Sequence, residues 1–523
     1  MTWQAFLPMG GSGDRFLRAG YTGPKPLIDV DGRTMLAHVL ADVAGCERVI
    51  CGVRASHLAT TDIAAEIRKL RPDATIVPVA PHKDGPVRTL LDCAGAIDPA
   101  LPLLLHYCDF ASAWDFAGFR AWCGERGWQA ALTGYTGDFP HLGGSTRYAG
   151  VRLSGEKVLE IREKHCFSDD LRDGWHSAGS YWTAQARTML AAAAQMVAGQ
   201  DRVAGEFFAS TALGRLVAAG LPTGLWPLQT FHQWGTPEDL RTWQQWQRGL
   251  AQLDRPLPLL DAARPTAQVV LMAGRGQRFV DAGETLPKPF IPVAQKPMVQ
   301  QVISLLPPAG ERVLVLRAED QPLLGRLQLD DVPLQTVAVA QTTAGQAASA
   351  LLGLAPLDPA SAVLVAPCDS GHVYDAQQWQ RLTARDDVDL VIWTAPWHQP
   401  ARWRPEAYGW AEVCDDGRVA ACSVKTPLAH LDLNRQQVLT GQFWAPHVGR
   451  FRSQIDALLQ SDDRVNGEFY LDTLAKRLVD AGARVFAFPV TLWMSWGTPR
   501  ELADFRYWNR LFRDDRPLDS GER

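Results

Sequence analysis

The sequence lacks the features that would commit it to a membrane, a disulfide scaffold or a nucleic acid. No uninterrupted apolar run in its 523 residues approaches the roughly 20 that a helical membrane span needs. Its nine cysteines, at positions 46, 51, 93, 108, 123, 166, 368, 414 and 422, include no CxxC pair, so neither a zinc site nor a disulfide framework is indicated. There is no basic excess: 52 Lys and Arg stand against 57 Asp and Glu, a net charge of −5. A general nucleic-acid binder needs a cationic surface to displace counterions from phosphates, so that class is excluded and any phosphate binding has to be local. The opening MTWQAFLPMGG carries no basic leader ahead of an apolar core, so no export signal is expected and a cytoplasmic location is.

What is present is a globular composition, 46% hydrophobic and 21% charged, in a chain too long for one ordinary core. Self-similarity supplies the organisation. LPMGGSGDRFLRAGYTGPKPLIDV near the start returns as VLMAGRGQRFVDAGETLPKPFIPV, and between Met9–Met35 and Met272–Met298 14 of 27 positions are identical without a gap. Further pairs follow in order: LLLHYCD with VLVAPCD, AGSYW with TGQFW, RVAGEFF with RVNGEFY, QWGTPEDL with SWGTPREL, and finally RPLPL at Arg255 with RPLDS at Arg516. A period this long is a domain duplication, since solenoid repeats run roughly 20 to 50 residues. The expected domains are 1–258 and 264–523, joined by a short Pro-rich stretch near Leu257 to Thr266.

Within each copy, apolar runs alternate with amphipathic ones. AQVVLMAG reads as a strand entering a Gly-rich turn, PMVQQVISLL as a helix, ERVLVLR as a strand and SAVLVAPCD as a buried strand ending in an acid. That order predicts an α/β fold, a Rossmann-like, mostly parallel central sheet with helices on both faces, with ligands beyond the carboxyl ends of the strands. The Gly-rich turns and both acids fall at such ends.

Those turns hold Gly10, Gly11 and Gly13 in one copy and Gly274 and Gly276 in the other. Glycines let backbone N–H groups approach a phosphate, although a lone Gly-rich turn more often only punctuates structure. A Walker A loop is excluded by the missing GK[ST], and a dinucleotide fingerprint by Phe16 and Phe279 where its third Gly belongs. The context argues for a ligand: Arg15 and Arg278 follow the turns, and Lys25 and Lys288 each sit between two prolines. A guanidinium fork suits several phosphate oxygens, and a lysine places a compact charge on one.

With these residues in order, the chain resembles the sugar-1-phosphate nucleotidyltransferase family, which includes the glucose-1-phosphate thymidylyl-, uridylyl- and cytidylyltransferases, and it does so once per copy. The resemblance implies two tandem GT-A-type nucleotidyltransferase domains that move a nucleoside monophosphate from an NTP onto a phosphorylated sugar or similar small acceptor. It assigns Arg15, Lys25, Arg278 and Lys288 to the NTP phosphates, and Met9, Gly10, Gly11, Gly13, Met272, Ala273, Gly274 and Gly276 to the nucleotide loop. Asp109 and Asp369 inherit the role of Mg²⁺ ligand, which suits a carboxylate at a strand end opposite a phosphate loop. Gln341 and Gly345 correspond to residues that contact the base; Gly85 is kept in the first copy, but Pro81 stands where Gln341 would be. On the acceptor side the resemblance marks Lys164 and Lys425 for the acceptor phosphate, Tyr148, Tyr408 and Gly409 for the pocket lining, and Glu206 and Glu468 as the glutamate of a helix bordering the sugar.

Two departures stand out. Val424 replaces the glutamate that precedes the acceptor lysine in the first copy, Glu163, and Gln233 and Ser495 occupy the place where the family commonly has a second metal-binding Asp. A GT-A glycosyltransferase is disfavoured because neither Cys108-Asp109-Phe110 nor Cys368-Asp369-Ser370 is an Asp-x-Asp motif. A regulatory nucleotide-binding copy would be free to lose its phosphate-handling Arg or Lys, and both copies keep both. Base, acceptor and oligomeric state, including a homo-oligomer, stay open at this level.

Overall fold

The computed structural model describes residues 2–144, 147–253 and 266–513. They divide into two compact units, the first ending at Gln244 and the second starting at Gln245, inside the helix Pro237–Leu253. The Pro-rich join and both RPL tails lie, Thr266 apart, outside the described residues. Among the described residues no helix is long and apolar enough to cross a membrane.

The first unit is built on a nine-stranded sheet ordered Thr75–Val79, Arg48–Arg54, Gln4–Met9, Leu103–His106, Trp175–Thr183, Ala130–Tyr135, Thr223–Pro227, Lys157–Arg162, Gly150–Ser154. Period-two alternation along each strand feeds two separate cores. Phe6, Ile50, Leu103 and Leu105 face the helices Pro86–Asp92, Ala186–Ala198 and Ala209–Ala218. Ala5, Leu7, Val49, Cys51 and Leu104 face Met35–Asp42, Ile63–Leu70 and Phe116–Glu125 on the other side.

The second unit repeats the plan with the central order Leu334–Val339, Glu311–Arg317, Thr266–Met272, Ala362–Pro367, Gln437–Ala445, Leu390–Ala395, Val485–Pro489. Val269, Val313, Val315 and Val363 pack on the helices Gln346–Leu354, Val448–Gln460 and Leu471–Asp480. The α/β class and the helices on both faces are as the sequence predicts.

The expectation of a mostly parallel sheet is corrected: the sheets are mixed. Strand Trp175–Thr183 runs antiparallel to both neighbours, and Gln437–Ala445 does the same in the second unit. Both strands are apolar enough to be buried on two faces, and apolar composition alone does not distinguish a parallel from an antiparallel central strand. Each carries a pairing irregularity, and the glycines there, Gly179 and Gly441, have φ of 104° and 91°.

Candidate active site

In both units the Gly-rich turn leaves the carboxyl end of the first strand and starts a short helix. Gly13 and Gly276 cap those helices in the left-handed region, at φ 70° and 63°, without a side-chain cap. By contrast, helix Met35–Asp42 is capped by Thr34 Oγ1, which accepts from the Ala37 N–H at 3.2 Å. The side chains of Met9, Met272 and Ala273 are buried, so these residues offer the turn only backbone groups. Arg15 and Arg278 are exposed, and their guanidinium groups make no hydrogen bond or ion pair with a described residue.

The lysine of Pro-Lys-Pro folds back beneath the turn. Lys25 Nζ donates to Asp109 Oδ2 at 2.8 Å and to the Gly235 carbonyl at 3.1 Å, and lies 5.2 Å from the centre of the Phe16 ring. Lys288 Nζ donates to Asp369 Oδ2 in the same way. Burial works against the Lys288 ammonium, but the Asp369 charge and hydrogen bond, with Cys368 and Glu501 nearby, override it and hold its pKa above the usual lysine range. Lysine and aspartate, separated by 84 residues in one copy and 81 in the other, are therefore brought together twice.

The strand-end acids are framed by the Trp-Gly-Thr-Pro segment. Gln233 pairs with Phe110, and the Trp234 N–H donates to the Asp109 carbonyl at 3.1 Å; Ser495 pairs with Ser370, and the Trp496 N–H donates to the Asp369 carbonyl at 2.8 Å. Gln233 and Ser495 thus flank the acids although neither is a carboxylate. In the second copy a Cβ on Gly497 would lie 3.2 Å from Asp369 Oδ2 and 3.3 Å from Glu501 Oε2, so two carboxylates border that glycine. Glu501 is a residue the sequence reading passed over; its place three residues after Thr498, whose hydroxyl donates to Glu501 Oε2 at 2.9 Å, marks it as part of a helix start.

Gly85 and Gly345 open the helices Pro86–Asp92 and Gln346–Leu354 at φ 91° and 127°. Each is clasped by the turn that carries the repeated Gly-Glu-Phe: a Cβ on Gly85 would meet the Phe207 carbonyl at 2.9 Å, and one on Gly345 would meet the Phe469 N and O at 2.6 Å. The Phe207 N–H donates to the Asp84 carbonyl at 2.7 Å and the Phe469 N–H to the Ala344 carbonyl at 2.9 Å. This corrects the placing of Glu206 and Glu468 on a helix. They close tight turns, bridging back to Val203 and Val465, and the helices begin later, at Ala209 and Leu471. Left-handed Ala204 and Asn466, each followed by a positive-φ glycine, force that turn.

The loop that holds Pro81 or Gln341 is tied across to the Gly-rich turn differently in each copy. Lys83 Nζ pairs with Asp14 at 2.8 Å in the first, and Arg275 Nε donates to Thr342 Oγ1 at 2.9 Å in the second. Pro81 and Gln341 both lie on these loops, Gln341 exposed.

Lys164 and Lys425 adopt the same unusual backbone, φ 52° and 56°, and hold their ammonium groups 5.2 Å and 5.4 Å from the ring centres of Phe208 and Tyr470. Tyr148 sits in an aromatic cluster with Tyr135, His141 and Phe231. Tyr408 is buried against His398 and Trp493, and next to it Gly409 touches Asp472.

The MobA-like NTP transferase domain matches residues 5–202 and again residues 268–426. The chain belongs to that family. Each transferase domain carries the Gly-rich turn, the lysine and the strand-end aspartate inside its matched segment, and the chain is a tandem nucleotidyltransferase. Similar solved structures include a nucleoside-diphosphate-sugar pyrophosphorylase from Vibrio cholerae RC9, 20% identical over 46% of this chain and 98% of that one, with a TM-score of 0.38. The inositol-1-phosphate CTP transferase from T. maritima is 16% identical over 47% and 97%, with a TM-score of 0.36. A UDP-glucose pyrophosphorylase complexed with UDP-glucose is 14% identical over 46% and 97%, with a TM-score of 0.38. No curated protein matches the chain.

Proposed function

We propose that both transferase domains, 1–258 and 264–523, are working sites that join an NTP to a sugar-1-phosphate or a similar phosphorylated small alcohol, releasing pyrophosphate. The observation that carries the proposal is the lysine–aspartate pair repeated under both Gly-rich turns. A domain kept only for packing has no need of a partly buried ion pair at a strand end, where desolvation offsets much of the attraction.

In the proposed reaction an oxygen of the acceptor phosphate attacks the α-phosphorus of the NTP in line, the bond from that phosphorus to the α–β bridging oxygen breaks, and pyrophosphate leaves with the bond's electrons. The acceptor phosphate is already largely ionised at neutral pH, so no general base is needed. Arg15 and Arg278, whose guanidinium groups are exposed beside the turns, are suited to the β- and γ-phosphates. Lys25 and Lys288 counter the charge that develops as the bond to pyrophosphate breaks. Lys164 and Lys425 take the acceptor phosphate.

Among the described residues no group of three or more metal-binding side chains occurs. Mg²⁺ nevertheless fits the donors present, because it takes one or two protein carboxylates and otherwise water and phosphate oxygens. Asp109, with the amide oxygen of Gln233, and Asp369, with Ser495 and Glu501, would hold it, and it would supply neutralisation of phosphate charge. The setting proposed is the cytoplasm, with no nucleic-acid partner. A pyrophosphate-release screen of the full chain, across the four common NTPs and a panel of sugar-1-phosphates and phosphorylated alcohols, tests the reading. Release that requires both an NTP and a phosphorylated acceptor supports it; release with water alone, or none with any pair, overturns it.

A further inference from the structure

Around the acceptor lysines the two copies use the same elements and exchange three side chains. In the first copy Glu163 precedes Lys164, and Ser210, in the second turn position of the helix Ala209–Ala218, donates its hydroxyl to Glu163 Oε2 at 2.5 Å. In the second copy Val424 precedes Lys425, which leaves no carboxylate on that strand end. The helix Leu471–Asp480 now carries Asp472 where the first copy has Ser210. The third exchange makes room for it. Ala149 follows Tyr148 in the first copy, but Gly409 follows Tyr408 in the second, and a Cβ on Gly409 would lie 2.5 Å from Asp472 Oδ2 and 3.2 Å from its Cγ. Ala149, Glu163 and Ser210 thus stand where the second copy has Gly409, Val424 and Asp472, and the Gly409–Asp472 pair is sterically coupled.

The two carboxylates share an environment as well as a neighbourhood. Burial raises Glu163, against the Ser210 hydrogen bond and the Lys164 charge, and Glu206 adds to the rise. Burial likewise raises Asp472, to about 6, against the Lys425 charge. Whereas Glu163 accepts from the Ser210 hydroxyl, Asp472 accepts from its own backbone N–H and from no other side chain among the described residues. Lys425 is itself occupied, donating to the Ala407 carbonyl at 2.5 Å. A carboxylate that no other described side chain supplies with a donor, beside a lysine held over an aromatic ring, is a place where a ligand hydroxyl gains a charge-assisted hydrogen bond.

We propose that Asp472 is the hydroxyl-binding carboxylate of the second acceptor pocket, replacing from the helix the group that Glu163 supplies from the strand in the first, and that this exchange gives the two copies different acceptor preferences. The proposal rests on the reading that Lys164 and Lys425 mark acceptor pockets. The ligand class is a phosphorylated polyol or sugar: phosphate toward Lys425, a hydroxyl toward Asp472. Because Asp472 comes from the helix and not the strand, and is one methylene shorter than Glu163, the hydroxyl it selects sits at a different position relative to the phosphate.

The test uses the full chain with Asp109→Ala silencing the first copy, and glucose 1-phosphate, inositol 1-phosphate and glycerol 3-phosphate as probes. Asp472→Asn, close to isosteric, is expected to raise the KM of the best probe by about tenfold or more while the KM for the NTP changes little, since a hydrogen bond to a charged group is worth about 1.5–3 kcal/mol. The triple change Gly409→Ala, Val424→Glu, Asp472→Ser is expected to shift the ranking of the three probes to that of the first copy, measured separately with Asp369→Ala. Thermal unfolding checks that each variant is folded. If the Asp109→Ala chain turns over a probe and Asp472→Asn leaves its KM and the ranking unchanged, Asp472 is structural and the proposal is overturned while the transferase reading stands. If no probe supports pyrophosphate release in the unmodified chain, the acceptor reading itself fails and takes the proposal with it.

Discussion

In the first copy Lys25 bonds Asp109, the Trp234 N–H secures the aspartate's backbone, and Gly85 is clasped by the turn of Glu206; in the second, Lys288, Asp369, Trp496, Gly345 and Glu468 make the same contacts. A few ångströms away the copies part company. Lys83–Asp14 bridges the loops of one and Arg275–Thr342 those of the other. Beneath the first acid lie Asp42, His106, Ser112 and Ser180, and the matching positions of the second are Leu305, Ala366, His372 and Gln442. Geometry that handles triphosphate and metal has to be nearly invariant, because transfer depends on placing the reacting atoms to a fraction of an ångström. Groups that recognise the acceptor or support the site from below are free to differ provided the change is concerted, as at Gly409 and Asp472. On the proposed reading the copies are equivalent in chemistry and unequal in recognition.

The strongest test of that equivalence is removal of the acids. Asp109→Ala or Asp369→Ala is expected to eliminate pyrophosphate release from its own copy alone, and the double change to eliminate all of it, with far-ultraviolet circular dichroism unchanged. A single substitution that silences the whole chain would show that only one copy turns over. Next in size, Lys25→Ala and Lys288→Ala are expected to lower kcat by about a hundredfold, on the order of 3 kcal/mol for a contact made mainly in the transition state, with a much smaller effect on nucleotide Kd. A rise in KM at constant kcat would make these lysines ground-state binders. A smaller effect is expected at the base loop. Gln341→Ala should narrow the second copy's discrimination between NTPs by roughly tenfold, as expected for a hydrogen bond or two, while Pro81→Ala leaves the first copy's discrimination as it was. Competition between NTPs in the separately silenced chains measures both.

How much of this could be read from the sequence follows from what each feature depends on. The duplication, the strand ends and the Gly-rich turns are local patterns, so the residues of the phosphate edge could be named before their geometry was known. The sheet's mixed direction could not, because a buried strand looks the same whichever way its partners run. Glu206 was placed on a helix by the family resemblance alone, while the bend at Ala204 and Gly205 that ends in the clasp on Gly85 is a tertiary contact over more than 100 residues of chain. Asp472 was missed for a similar reason: its exchange with Glu163 joins three segments, and only their packing shows that one carboxylate has replaced the other. The signal was nonetheless present in the aligned RVAGEFFAS and RVNGEFYLD, where Ser210 faces Asp472.

The smallest expected effect concerns the ground beneath the two sites and is read in stability, with turnover left aside. Asp42 accepts from the Ser112 N–H at 2.9 Å and the Ser112 hydroxyl at 3.2 Å, and its nearest cation candidate is His106, whose Nε2 is 3.7 Å away. Burial holds His106 neutral, far below the ordinary histidine range, its Nδ1 bonded to Ser180 Oγ at 2.8 Å. Without a charged partner, burial raises Asp42 to about 7, the two Ser112 hydrogen bonds only moderating the rise. A carboxyl whose folded pKa lies above its unfolded value of 3.8 favours the folded state while protonated. That contribution is complete below about pH 4 and is lost as pH rises through about 7, where the folded unit carries a buried charge that the unfolded chain solvates freely. Asp42→Asn keeps an oxygen for Ser112 and cannot ionise. The variant is expected to unfold at the same temperature as the parent near pH 4 and several degrees higher at pH 8, consistent with a difference on the order of a few kcal/mol. Leu305 occupies the matching position in the second copy, so Leu305→Asn should show no such pH-dependent gain and should lower stability at both pH values by burying an unmatched amide. Calorimetric scans of the parent and both variants at the two pH values decide the matter, and an equal shift for Asp42→Asn at pH 4 and pH 8 would mean that His106 carries the charge and pairs with Asp42 after all.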